Sequence, residues 1–267
     1  MGAHRRAAAR GFTLTEMLVV IAIIGILASL LLPALGRAKE RAHLVRCQSN
    51  IRQIQLSWLL YAEDNSTRLP SCTTAGLGGS TIADKIALRP DSWVVGNMRN
   101  TDESTNITAL LDAALGKYTQ SEKFYHCPVD TSVNALGHRR VRSISMNMYM
   151  NASYTDGTPI AQVERGFKFF RRTSDLDDPS MRIVILEEKA ELIDDGIFRH
   201  TMQGLACFQN VPALYHAGGT AITFADGHNE YHIWQDESIK LQTAHGVGLP
   251  SPNDVPWMSA RITAPIN

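Results

Sequence analysis

Neither sign of charge is in excess. The 267 residues carry 26 Lys+Arg against 26 Asp+Glu, so composition does not point to a strongly basic nucleic-acid binder. No G-x-S-x-G, P-loop or H-E-x-x-H occurs, which removes the usual frameworks for serine hydrolysis, phosphate cradling and zincin chemistry. The four cysteines, Cys47, Cys72, Cys127 and Cys207, never form C-x-x-C, which argues against a zinc ribbon or a thioredoxin-like site. In an oxidising compartment four cysteines allow three full pairings, and spacing does not choose among them. Buried free thiols and a single disulfide both remain open. There is no internal repeat. Nor is the chain poor in apolar residues: 44% hydrophobic and 19% charged excludes a disordered polymer and allows a sizeable core.

The apolar residues are unevenly spread. Met17 to Gly36 is an uncharged run of twenty residues, MLVVIAIIGILASLLLPALG, long enough to span a bilayer as a helix. The leader before it, Met1 to Gly11, holds Arg5, Arg6 and Arg10 and no acid. Such a leader stays in the cytoplasm and sends the following chain outward. A secretory signal has a shorter apolar core and a small-residue cleavage site after it. Here no Ala-x-Ala site follows cleanly. An uncleaved signal anchor would account for everything in this region except Glu16, a carboxylate at the edge of the apolar run. Entering the bilayer would cost it roughly 2–3 kcal/mol, and an ionisable group there is a functional hypothesis that needs a partner.

The segment RGFTLTEMLVVIAIIGILASLLLPAL resembles, without a gap, the signal of type IV prepilins and pseudopilins. Gly25 and the helix-kinking Pro33 fall where such proteins often carry them. Later patches, CQSNIRQIQLSWLLYAEDN, FYHCPVD, SMNMYMN and HAGGTAITFADGHNEYH, resemble pieces of large prepilin-like proteins. The last contains H-x9-D-G, formed by His216, Asp226 and Gly227. The resemblance implies that a prepilin peptidase cuts between Gly11 and Phe12 and N-methylates Phe12. It implies a structural subunit, not an enzyme, of a type II secretion pseudopilus or a type IV pilus-like filament. The implied partners are the peptidase, other pilin or pseudopilin subunits and an assembly platform. Nucleic acid is not among them. Such a subunit sits in the inner membrane, single-pass, its body periplasmic, or in an extracellular filament after assembly. Glu16 then becomes an assembly residue, its carboxylate paired with the Phe12 amino group of a neighbouring subunit. Cleavage would take the formal side-chain charge from 0 to −3.

Past the apolar run, Leu44, Cys47, Ile51, Ile54, Trp58 and Tyr61 recur at spacings of 3 and 4. That is one face of an amphipathic helix, more simply a face packed on a sheet than a coiled-coil seam. Phe12 to Asp64 can form one helix, roughly 80 Å long at 1.5 Å per residue, with a kink expected at Pro33. Asn106 to Gly116 reads as a short helix capped by Asn106. Val141 to Met150 and Met181 to Leu186 read as strands, and Thr220–Ala225 with Asn229–Trp234 as a hairpin around Asp226-Gly227. The fold class is α+β, a long transmembrane helix packed on a mostly antiparallel sheet, as in pilins. The organisation is a leader (1–11), a membrane helix (12–36), its amphipathic continuation (37–65), a globular body (66–244) and a proline-rich, irregular tail (245–267).

Metal chemistry has two weaker footholds. His228, Glu230 and His232 share a strand face, and His216 approaches across the hairpin, a zinc-ligand set for an alternative reading as a signal-anchored periplasmic metalloenzyme. Asp194, Asp195 and Asp226 are hard-oxygen candidates for calcium; otherwise no cofactor is expected. Glu187-Glu188 and Asp194-Asp195 read as solvated loop charges.

Overall fold

The computed structural model describes residues 13–73, 81–153, 164–202, 204, 206–244 and 250–266. The chain divides into two units, Met1–Ala42 and His43–Asn267. Helix α1, Leu14–Asp64, begins in the first and ends in the second.

In the first unit the helix starts on a reciprocal cap. The Thr13 amide donates to Glu16 Oε2 at 2.8 Å, and the Glu16 amide donates to Thr13 Oγ1 at 3.2 Å. This is the S/T-x-x-E capping box, which satisfies two amides that a helix end otherwise leaves bare. Beyond it Leu18, Val19, Ile23, Leu27 and Leu30 are all exposed. Mean hydropathy reaches 2.9 over an 18-residue window, so the helix is long and apolar enough to cross a membrane. Pro33 lies inside it, where the missing N–H removes one i→i−4 bond.

The second unit contains the core. From Cys47 on, α1 buries Cys47, Ile51, Ile54, Gln55, Trp58, Tyr61 and Ala62, the face that the 3,4 spacing predicted, with Leu44 only half-buried. Its partner is a sheet. Strands β1 (Cys72–Thr73), β2 (Ile144–Asn147), β3 (Ala152–Ser153), β4 (Ile183–Glu187), β5 (Ile197–Phe198), β6 (His200–Thr201), β7 (Cys207–Phe208), β8 (Gly219–Phe224) and β9 (Asn229–Ile233) follow in order. Five of them form the main sheet, ordered β5-β2-β4-β8-β9. Every contact in it is antiparallel except β2 with β5. Strands β4 and β8 are buried at every position, which explains the unbroken apolar run from Ile183 to Leu186 in β4. Polar bonds also join helix to sheet: Thr223 Oγ1 donates to Gln55 Oε1 at 3.0 Å, and Asn229 Nδ2 to the Gln48 carbonyl at 2.9 Å.

Shorter helices complete the unit: α2 (Ile82–Leu88), α3 (Thr108–Leu111), α4 (Gly116–Thr119), α5 (Glu237–Leu241) and α6 (Asp254–Ile262). Two expectations need correction. The helix expected over Asn106–Gly116 is interrupted. Asn106 does hold the Thr108 amide at 2.9 Å, but the Ala114 amide is diverted to the Ser92 carbonyl at 2.9 Å, and the chain breaks between α3 and α4. The tail expected to be irregular contains α6. Pro256 falls in its first turn, where an amide would be unbonded anyway. Met258 and Ile262 are fully buried, and Arg182 Nη1 donates to the Ala260 and Thr263 carbonyls.

Candidate functional site

Among the described residues, two places gather candidate functional chemistry. The first is the start of α1. Glu16 is exposed there and caps its own helix through Thr13. Gly11 and Phe12, the expected processing site, lie outside the described residues.

The second is a closed polar cluster in the core. Cys47 comes from α1, Cys127 from the segment after a 3-10 turn (Glu122–Tyr125), Glu187 from the end of β4, and His216 from the turn entering β8. None is more than 6% exposed. The Cys47 thiol donates to Glu187 Oε1 at 2.6 Å. His216 Nε2 lies 3.4 Å from Cys127 Sγ and 3.3 Å from Glu187 Oε1. All four ligand atoms fall within 4.8 Å of one another. An outer layer holds them in place. The Ala221 amide donates to Glu187 Oε2 at 2.9 Å, the Tyr231 hydroxyl to the His216 carbonyl, and the Cys127 amide to Ser143 Oγ at 2.6 Å.

Electrostatics explains how a carboxylate survives there. Burial pushes the Glu187 carboxyl up, but His216 and the two thiols outweigh burial and hold it below the ordinary range. Burial opposes charge on His216 too, and is overcome by Cys127 and Glu187, which push the imidazole up. A hydrogen bond from Cys47 leads the causes that lower the Cys127 thiol, with burial opposing. The centre is an ion pair set among thiols. Next to it Glu188 is also fully buried, accepts from Ser145 and Asn210, and is raised by burial to about 8. The expectation that Glu187-Glu188 are solvated is therefore overturned. Their apolar approach strand is the central strand of the sheet, and it carries both acids inward.

The remaining candidates are placed as follows. His216 and Asp226 stand at opposite ends of β8 and do different work. Ala217 and Gly218, both with positive φ (50° and 87°), fold the chain so that His216 bridges to Gly219. Asp226 Oδ1 accepts from the His228 amide at 3.1 Å and faces His228 Nδ1 at 2.6 Å, while Gly227 takes φ 96°, the left-handed turn position that favours glycine. The hairpin expected there is present, with Thr220 opposite His232. The zinc set expected across it is not assembled. His228 and Glu230 approach to 3.5 Å, but His232 stacks on Trp257 at 3.7 Å between centroids, and His216 belongs to the cysteine cluster. Nor do the calcium candidates converge. Asp195, buried, accepts from the Ile197 amide and pairs with Arg199, and Asp194 accepts from the Asp195 amide. Both precede β5, while Asp226 follows β8, with β2 and β4 between those strands in the sheet. Cys47, Cys72, Cys127 and Cys207 are free thiols, Cys207 half-buried and the others buried. The cluster's four members are far apart in sequence, so no local spacing could announce it.

Of the comparisons with known proteins, the family match falls on the first place. Residues 6–32 match the family described as the prokaryotic N-terminal methylation motif. The chain is similar to type II secretion system core protein G of Dickeya chrysanthemi, 46% identical over 69 residues, 26% of this chain and 44% of that protein. The Klebsiella michiganensis protein of the same name is 45% identical over 88 residues, 33% of this chain and 59% of its own. That of Escherichia coli K12 is 46% identical over 56 residues, 21% and 39% respectively. The chain thus spans about half the length of the curated relatives it matches. No solved structure gives a significant match.

Proposed function

We propose that this chain is a prepilin whose mature form is a subunit of a type II secretion pseudopilus or a related type IV pilus-like filament. The observation that carries the reading is the methylation motif over residues 6–32, which runs directly into an exposed apolar helix with a single acid, Glu16, in its first turn. Prepilin peptidase cuts between Gly11 and Phe12 and methylates the new amino terminus. The basic leader keeps that end in the cytoplasm and the body emerges on the periplasmic side. Helices then leave lipid and pack against one another, burying the apolar surface that is bare in a single chain.

Glu16 has a distinct part in each state. Alone, it caps its own helix through Thr13. In a filament its carboxylate pairs with the Phe12 amino group of a neighbour, because a charge buried among apolar helices needs a counter-charge.

Intact N-terminal mass spectrometry of the protein from native membranes tests the proposal. A chain that begins with N-methyl-Phe12 is expected. A chain retaining Met1 to Gly11 in cells with active peptidase would sink it.

A further inference from the structure

We propose that Cys47, Cys127, Glu187 and His216 form a structural binding site for one zinc-class divalent cation. The proposal stands apart from filament assembly, since it concerns only the body.

Donor chemistry comes first. Two sulfurs, an imidazole nitrogen and a carboxylate oxygen are a zinc set: four ligands, borderline soft, with no water among them. The bond lengths usual for zinc give tetrahedron edges of about 3.3–3.8 Å. The edges from His216 Nε2 to Glu187 Oε1 and to Cys127 Sγ measure 3.3 and 3.4 Å. The edge from Cys47 to Glu187 is 2.6 Å, so it must open by about 1 Å to admit the ion.

Hydrogen bonding alone leaves one contact of the cluster unserved. His216 Nε2 carries at most one proton, yet it faces both the Cys127 sulfur and the Glu187 oxygen. That oxygen is also the acceptor for Cys47. A central cation serves all four atoms at once. The outer layer is what a metal site requires, with the second carboxylate oxygen held by the Ala221 amide and so unable to turn away. A Cys47–Cys127 disulfide would use two of the four groups and leave Glu187 buried with His216 alone.

The site also accounts for the spacing in H-x9-D-G. His216 supplies the ligand at one end of β8, and Asp226-Gly227 turns the hairpin at the other. A loaded ion would tie α1, the Cys127 segment and the β4–β8 pair together, which are otherwise joined mainly by apolar contact.

The test uses the full chain purified in detergent under reducing conditions. After chelation it is titrated with zinc or cobalt(II). One equivalent of zinc by elemental analysis is expected, with a rise in melting temperature that a chelator reverses. Cobalt should give thiolate charge-transfer absorption and the intense visible bands of tetrahedral coordination. Cys127→His keeps a ligand in place, so it should still bind one cobalt with the charge-transfer band roughly halved. Cys72→Ser and Cys207→Ser should change nothing. Failure of the reduced wild-type chain to hold zinc or cobalt overturns the proposal. So does a Cys47–Cys127 disulfide found in peptides from native membranes, or loss of metal binding in Cys207→Ser.

Discussion

His216 and Glu187 set the stakes at single residues. If His216 merely steadied a hairpin, its removal would cost about 1 kcal/mol, one hydrogen bond. It is instead the counter-charge of an acid with 0% exposure. His216→Ala should therefore destabilise the metal-free chain by roughly 3–5 kcal/mol, because the carboxylate is left buried without its counter-charge. Adding Glu187→Gln should recover part of that loss in a urea melt, and strict additivity of the two changes would contradict the pairing. Gly219 is tested differently. A Cβ there would meet the Tyr231 ring at 2.3 Å, the ring whose hydroxyl holds the His216 carbonyl. Gly219→Ala should cost about 1–3 kcal/mol as overpacking. His200 provides the pH probe. Burial lowers its pKa from 6.5 to about 3, so the folded state resists its protonation. Its contribution to stability is complete above about pH 6.5 and is lost as the pH falls toward 3. His200→Gln should flatten that part of a melting-temperature profile, and an unchanged acid limb would refute this assignment.

At the scale of the element, α1 is one helix with two surfaces. Around Leu18 to Leu35 its apolar side chains are bare, whereas around Ile51 to Tyr61 they are the core. Ile54 is fully buried and Leu60 is half exposed. Ile54→Ala should cost about 2–5 kcal/mol and Leu60→Ala within about 0.5 kcal/mol. Comparable losses from denaturant melts would mean that the buried face is misassigned. The helix start makes its own prediction. Glu16→Ala removes one half of the capping box, a loss of about 1 kcal/mol at most from the isolated helix. Insertion should persist, because removing a charge from an apolar segment eases entry. In vivo crosslinking between subunits at Ile23 and Leu30 should fall sharply. Normal crosslinking in that variant would remove the assembly role of Glu16 while leaving cleavage at Gly11-Phe12 untouched.

At the scale of the whole molecule, the two units answer to different solvents. The first leaves apolar surface that only lipid or other helices can cover. The second buries its own, through a sheet closed by α1 and by the C-terminal helix α6. Asp236 connects that last helix to the body. Its carboxylate accepts from Ser251 Oγ and from the amides of Asn253 and Asp254, while Asp254 accepts from the amides of Gln235 and Asp236. This reciprocal latch replaces the side-chain cap that α6 lacks.

Periodicity and length were enough, without coordinates, for the membrane helix, the buried face of α1, the central strands and the β8–β9 hairpin. Each is a local pattern that backbone geometry makes repeat, every 3.6 residues in a helix and every second residue in a strand. The methylation motif is legible for the same reason, since it is one uninterrupted segment. The broken helix at Asn106–Gly116 and the helix in the proline-rich tail were not legible. One depends on a bond from Ala114 to Ser92, the other on burial of Met258 and Ile262, and both partners are remote in sequence. The cysteine cluster is the extreme case. Cys47, Cys127, Glu187 and His216 each stood in view, but separations of 29 to 80 residues carry no periodicity. Glu187 looked solvated because acids usually are. Only the packing of α1 over β4 and β8, and the turn at Ala217-Gly218, brought four polar groups to one point and closed water out.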